Sequence, residues 1–481
     1  MSTRPTSQER TLTVEHRSID YIPPDERHGK PESLFNVWFA ANMQVTAIVT
    51  GALLIVIGLS LPWAILAALI GVAAGTIFMA LHSVQGPKLG IPQMIQSRAQ
   101  FGYYGAAVPI IVVLLMYIGF FASSSVLGGQ ALTGLTHLPV KPTIIIIAAI
   151  CTIVAIFGYR LIHSVERWVS LISGLGFVYL TIMLFVHHDV AAVWNGGHFS
   201  GGAFGLGIAI AATWTLTYAP YVADYSRYLP EDTSSRTVFW WSYAGCSIGS
   251  FWMIGFGCIA VAVATQAFNG GSVSFIVDLS PSPVHWLFQI IIILGIIAVN
   301  VLNLYGAFMS WTTIATAAKS HGVSRTTRAA YTIAVAAIST ILAIAGQGNF
   351  LENFENFILF LAYFVIPWTA INLVDFYLIR KEQYDIGQIF EPNGIYGRAS
   401  WEALVAYFAA IAVEIPFMST SFYTGPMVAQ LGGADISWIL GLIVSAVLYW
   451  LFMRHRAAHL RPAQTLAPSS AAPGTQSESR G

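Results

Sequence analysis

Residues 207–236 read GIAIAATWTLTYAPYVADYSRYLPEDTSSR. A run apolar enough to lie in a bilayer meets Pro220, then Asp224 and Arg227. Proline has no N–H and crowds the carbonyl four residues earlier, so a helix here should bend or break around Thr217–Pro220 and free backbone groups at mid-depth. In a bilayer such groups are tolerated only where they face a cavity or packed protein. A merely kinked structural helix is the plainer alternative. Asp224, Arg227, Glu231 and Asp232 follow at a water-facing mouth. Asp224 and Arg227, three apart, can share one helix face as an anchor or gate.

The rest of the chain frames that reading. Of 481 residues, 56% are hydrophobic and 9% charged, and the mean hydropathy of +0.68 belongs to a polytopic membrane protein rather than a soluble globule. A hydrocarbon core about 30 Å thick takes about 20 apolar residues per helix. Such windows fall near 34–58, 62–84, 105–128, 142–159, 168–186, 203–226, 238–265, 284–309, 329–346, 356–377, 401–418 and 435–452. Twelve transmembrane helices are therefore expected in an all-α fold. A β-barrel would need alternating strands, whereas LIVIGLSLPWAILAALIGVAAG (54–75) is apolar on every face.

With twelve spans and both ends on one side, every one of the 22 Lys and Arg residues except Lys141 falls on the side of the tails. The positive-inside rule then makes both termini cytoplasmic, in a multi-pass protein of the plasma (inner) membrane. The net charge of zero gives no reason to expect a nucleic-acid partner. The start of the chain is polar and lacks the apolar core of a signal peptide. The expected organisation is a cytoplasmic tail (1–33), a ten-helix core (34–379, in halves of about 34–190 and 200–379), a loop with two further helices (380–453), and a C-terminal tail (454–481) that reads as disordered by composition.

Composition also narrows the chemistry. Cys151, Cys246 and Cys258 lie within expected spans without metal-ligand spacing, so they read as structural and no metal site is expected. No HExxH or P-loop occurs. A membrane-embedded enzyme would need a nucleophile with a base, or metal ligands, inside the spans. The interiors instead hold mainly hydroxyls, amides and rings, with Glu414 as an acid inside the eleventh window. A transporter of a small, neutral, planar solute fits better than an enzyme, and no cofactor is implied.

Six stretches carry a resemblance over most of residues 20–400: NVWFAANM (36–43), GPKLGIPQMIQSRAQFGYYGA (86–106), FGYRLIHSVERW (157–168), YAPYVADYSRYLPEDTS (218–234), NVLNLYGAFMS (300–310) and PWTAINLVDFYLIRKEQYDI (367–386). In order and spacing the chain resembles the purine–cytosine permeases of the nucleobase–cation symporter-1 group. The resemblance implies a leucine-transporter-type fold, with helices 1–5 and 6–10 as two inverted repeats, helices 1 and 6 discontinuous, and two helices appended. It also implies a secondary active transporter that imports a nucleobase with a proton or sodium ion by alternating access.

The resemblance points to positions one by one. In YIGFFASSSVLGGQ (117–130) it marks Phe120 as the ring that stacks on the base, where relatives often carry Trp, with Ser124 where relatives place an amide. The opposing ring is Trp214 or Tyr218, since two registers are open. Asn300 and Asn303 match family amides. Independently, two amides three apart on one face of an apolar span carry donors and acceptors that must be satisfied. Two rings can sandwich a planar heterocycle while an amide matches its edge. Asn42 and Gln44, in AANMQV (40–45), fall where the family's first helix is unwound and lends carbonyls to a cation or substrate site.

For the ion, the sodium-coupled relatives place paired hydroxyls just before the amide matched to Asn300, whereas this chain has Ala298 and Val299 there. Proton coupling is therefore the expected form. The substrate is expected to be a neutral base such as cytosine or a purine, without ribose or phosphate. Allantoin, hydantoin, hydroxymethylpyrimidine and vitamin precursors are alternatives in the same fold. Glu414, outside the ten-helix core, should find a partner on the twelfth helix or in a neighbouring protomer, and the oligomeric state is left open.

Overall fold

A computed structural model describes residues 20–157, 159–194, 197–318 and 325–456. The outer parts of both tails, Lys319, and the side chains of 158–167 lie outside the described residues. Among those described there is no strand, only the isolated bridge between Ser419 and Thr424. Helices occupy all twelve expected windows: α1 (Ser33–Ala41), α2 (Val45–Val56), α3 (Leu61–Ser83), α4 (Gln93–Phe101), α5 (Ala107–Thr136), α6 (Val140–Phe157), α7 (Tyr159–His187), α8 (Gly201–Leu216), α9 (Val222–Ser226), α10 (Ser235–Gly270), α11 (His285–Ala318), α12 (Arg325–Gly346), α13 (Phe350–Leu373), α14 (Trp401–Glu414) and α15 (Ser437–Arg456).

Nine helices among the described residues are long and apolar enough to cross a bilayer, and α1 with α2, bent by 60°, makes a tenth. One of the nine runs from Thr326 to Ile379 through the ninth and tenth windows, its two halves joined by the turn Gln347–Asn349. In the eleventh window α14 is 14 residues long and continues as a 3₁₀ turn, Ile415–Phe417. These helices carry their apolar side chains outward as well as inward. Ile153, Phe157, Leu175 and Ile341 are all more than half exposed, as lipid-facing residues should be.

The helices sort into two packed groups. In the first, α2 and α3 lie against α8 and α10; in the second, α5 and α6 lie against α11 and α12. Small residues set the first group's spacing. A Cβ on Gly51 would overlap the Ile254 carbonyl, and one on Gly257 the Ile48 carbonyl, so α2 and α10 touch backbone to backbone. Close approach of this kind replaces the hydrophobic drive that lipid cannot provide. In the second group Gly306 of α11 admits the Tyr117 ring of α5.

The described part of the N-terminal segment is packed on the protein. Ile22 is buried, its N–H donates to Gly90 O at 2.9 Å, and Arg27 Nη1 donates to Pro87 O at 2.6 Å. Cys151, Cys246 and Cys258 are free thiols, all buried.

Candidate functional site

Two helix breaks make the centre of the molecule. In the first span α1 stops at Ala41, and Gln44 is extended (φ −145°, ψ 151°) before α2 begins. The break is stitched locally: Gln44 Nε2 donates to Ala41 O at 2.7 Å, and Thr46 Oγ1 donates to Gln44 Oε1 at 2.7 Å. In the sixth span α8 stops at Leu216, a 3₁₀ turn holds Ala219–Tyr221, and α9 resumes at Val222. Pro220 sits in that turn, where its missing N–H is not needed. The break read from Thr217–Pro220 is thus in place.

The two breaks meet at Asn42, which is fully buried. Its Nδ2 donates to Trp38 O at 2.8 Å, while its Oδ1 accepts from Trp214 Nε1 at 2.8 Å, Tyr218 Oη at 3.1 Å and Ser250 Oγ at 2.7 Å. One amide oxygen with two lone pairs therefore serves three donors, from the sixth span and from α10. Trp214 and Tyr218, the two candidate rings, share this acceptor but part company beyond it. Trp214 lies edge-on to Phe120, with centroids 6.0 Å apart. Tyr218 packs on Trp38 at 5.4 Å and Tyr221 at 5.9 Å. Phe120 also meets Phe357 of α13 at 5.0 Å.

Facing this from the second group, Asn300 of α11 is buried. Its Nδ2 donates to Ser125 Oγ at 3.1 Å and to Phe121 O at 3.4 Å. Its Oδ1 accepts from Asn303 Nδ2 at 3.3 Å. The amides thus engage the residues following both Phe120 and Ser124; Ser124 itself is buried on the same helix. Sequence reasoning reached this helix pair; the hydroxyl bonded to Asn300 is that of Ser125, the neighbour of Ser124.

Below the breaks, Asp224 Oδ1 accepts from the Gln93 N–H at 2.7 Å, at the start of α4, where a carboxylate is favoured by the helix terminus. Arg227 is buried, donating through Nε to Asp224 O at 3.3 Å and through Nη1 to Asp20 O at 3.4 Å. Both follow directly on the break in the sixth span. Sequence reasoning missed the chain of amides beside them. Gln93 Nε2 donates to Gln85 Oε1 at 3.0 Å, Gln85 Nε2 to Asn372 Oδ1 at 2.7 Å, and Gln100 Nε2 to Asp375 Oδ2 at 3.0 Å. Asp375 is fully buried and also accepts from Arg380 Nε at 3.0 Å, Tyr384 Oη at 2.7 Å and Tyr449 Oη at 2.8 Å. The signal was the density of amides in QMIQSRAQ (93–100), too polar for a span and too apolar in its surroundings for a free loop.

A cavity of about 10 Å³ lies beside the first break, between Gln44, Ser173 and the α11 residues Ile291, Ile292, Gly295 and Ile296, room for roughly one water. Among the described residues no group of three or more His, Cys, Asp or Glu could hold a metal ion. Glu414 is fully buried, and neither of its carboxylate oxygens has a hydrogen-bond partner. Among the described residues no hydrogen-bond partner for it lies on the twelfth helix, where α15 presents Gly441 to it; the neighbouring-protomer alternative is untouched by this.

Comparison with known proteins matches this architecture. The chain is 45% identical over 445 residues to a Bacillus subtilis protein, YxlA, that is assigned by name to the purine-cytosine permeases; the match covers 92% of this chain and 97% of that one. It is 28% identical over 469 residues to the purine-cytosine permease fcyB of Emericella nidulans, covering 91% and 88%. Among solved structures, Mhp1, a nucleobase-cation-symport-1 family transporter in a closed conformation with bromovinylhydantoin bound, superposes with a TM-score of 0.73 at 19% identity, over 93% of this chain and 96% of that one. That likeness gives the chain the leucine-transporter-type fold. The model of the family described as permeases for cytosine/purines, uracil, thiamine and allantoin matches residues 21–441, and the chain belongs to that family of membrane transporters.

Proposed function

We propose that this permease imports a neutral nucleobase, cytosine or a purine, by proton symport through alternating access, with both termini cytoplasmic in the plasma membrane. The observation that carries the reading is the convergence of Phe120 and Trp214, edge to face at 6.0 Å, with α5, the helix of Phe120, bonded through Phe121 O and Ser125 Oγ to Asn300 of α11, which in turn accepts from Asn303. Trp214 is the stacking ring because it is the candidate that faces Phe120. A flat heterocycle entering between the two rings exchanges their edge contact for stacking, worth about 1–3 kcal/mol per base in nucleic-acid systems. Amides then read its edge. Among the described residues the buried arginines are Arg27, Arg98, Arg227 and Arg380, which donate to Pro87, Thr313, Asp224 and Asp375, so none of them is directed at the ring pair as a cation for a phosphate.

Proton rather than sodium coupling is supported at the first break. Sodium needs several oxygens to replace its hydration. The cavity beside Gln44 is walled by isoleucines, the Gln44 oxygen already accepts from Thr46, and Ser173 adds the one hydroxyl of its lining. Uptake into proteoliposomes tests the whole reading. Against a panel of bases, nucleosides, allantoin and hydantoins, free bases should compete best, and an inward proton gradient without sodium should drive accumulation. Nucleosides outcompeting bases, or uptake that follows sodium at equal pH, would overturn it. Tags at the exposed Gly197 and Gly270 should be reachable from outside, and a reporter after residue 460 from inside.

A further inference from the structure

The proton reading needs a titratable carrier in the transport core, and the α3–α13 contact holds one. His82, in the last turn of α3, is fully buried. Its Nδ1 lies 2.8 Å from Phe78 O; a carbonyl can only accept, so Nδ1 carries the hydrogen and Nε2 is left as a bare lone pair. Nε2 has no hydrogen-bond partner. The ring stacks on Trp368 of α13, centroids 5.0 Å apart and 26° from parallel. One turn on, the bond from Gln85 to Asn372 repeats the same connection. His82–Trp368 and Gln85–Asn372 are thus successive rungs between the second and tenth spans.

We infer that His82 is the proton-binding group of the transport cycle, its bare Nε2 accepting the co-transported proton when the second and tenth spans part. The inference rests on the proton-symport reading. The Nε2 lone pair takes the proton to give an imidazolium and returns it unchanged on the other side, so charge and atoms balance over the cycle. In the conformation seen here a second proton would leave a buried cation without an acceptor, which is costly. The rung must therefore open, or turn Nε2 toward an amide oxygen, before the proton can be held.

The surrounding elements bring few competitors. Titratable and charged groups at this end of α3 are Asp224, Arg227, Tyr218, Tyr221 and Tyr225 of the sixth span, Cys246 of α10, Asp375 and Tyr377 beyond α13, and Lys88 in the following segment. Asp224 is taken by the Gln93 N–H, and Asp375 by Arg380, Gln100 and two tyrosines. Tyr218 is turned to Asn42, and Tyr377 Oη donates to Leu81 O at 2.8 Å.

The test uses full-length protein in proteoliposomes and the best-transported base of the uptake panel. In wild type an inward gradient of one pH unit should give about tenfold accumulation at one proton per base. His82→Gln and His82→Asn should still exchange labelled for unlabelled base, yet show no gradient-driven accumulation and a flat pH profile. Proton uptake on base binding, read with an indicator dye in weak buffer, should be about one per base in wild type and absent in the variants. Gradient-driven accumulation in His82→Gln would overturn the role of His82 alone. A wild type indifferent to the proton gradient would overturn the symport reading and this inference together. Should both variants fail to fold, NMR of histidine-labelled wild type decides: a His82 ring that stays neutral in the base-bound protein at every pH where transport runs sinks the proposal.

Discussion

Trp214 Nε1 donates to Asn42 Oδ1 across 2.8 Å, joining the break in the sixth span to the break in the first. The same oxygen holds Ser250 of α10 at 2.7 Å, so one side chain fixes three helices at the point where regular backbone bonding is lost. Asn42→Ala should strand at least two buried donors, each at a cost of about 1–3 kcal/mol. A lowered melting temperature in detergent and loss of uptake are the expected result. Asn42→Asp keeps an oxygen acceptor and should lose less; equal loss in both would mean that the acceptor is not what matters.

The ring pair gives a second prediction. Trp214→Ala and Phe120→Ala should each abolish measurable base binding while leaving a folded, monodisperse protein. Tyr218→Phe, which removes only a hydroxyl bonded at 3.1 Å to an already shared acceptor, should retain binding within a few-fold. Asn303→Ala should change the order of preferred bases rather than overall stability, because Asn303 is a donor at the end of its short chain. Binding titrations across the base panel separate these outcomes, and a Tyr218→Phe defect as deep as that of Trp214→Ala would reverse the assignment of the stacking ring.

How far the sequence could be read follows from which interactions are local. The break at Pro220 is written in the chain because a missing N–H acts within one turn, and the twelve windows are written in composition because lipid selects apolar side chains on every face. Asn42 and Gln44 were visible as polar residues in an apolar span, but not their partners. Trp214 and Ser250 stand 172 and 208 residues away. The amide chain was hidden for the same reason. Gln85, Gln93 and Gln100 show their polarity in the sequence but not their partners, Asn372 and Asp375, which lie more than 270 residues further along the chain. Glu414 was singled out by its cost in a membrane, yet a glycine across from it carries no signal of its own.

A third prediction concerns the ion pair between Asp375 and Arg380, with side chains 0% and 5% exposed. Breaking a buried pair leaves an uncompensated charge, at about 3–5 kcal/mol. Arg380→Met and Asp375→Asn should each sharply reduce the yield of folded transporter in fluorescence-detected gel filtration. The double variant leaves neither charge and should recover part of the loss. No recovery in the double variant would show that Tyr384, Tyr449 and Gln100, which also bond Asp375, matter more than the charge balance.

Glu414 and Gly441 supply the last prediction, because their contact is purely steric. Glu414 is fully buried, both its oxygens lack hydrogen-bond partners, and a Cβ on Gly441 would overlap Oε1. Gly441→Ala should therefore destabilise by overpacking, typically about 1–3 kcal/mol. Glu414→Ala removes the obstructing group but opens a cavity. In the double variant the new methyl occupies part of that space, so the two losses should fall short of their sum, with a coupling of about 0.5–3 kcal/mol. Glu414→Gln, similar in shape and uncharged, should fold as well as wild type if the carboxyl is neutral where it sits; a strong loss there would reveal an ionised group held by a partner from outside the chain. Thermal unfolding of the four proteins in one detergent closes the cycle, and strict additivity of Gly441→Ala and Glu414→Ala would show that the two residues do not touch.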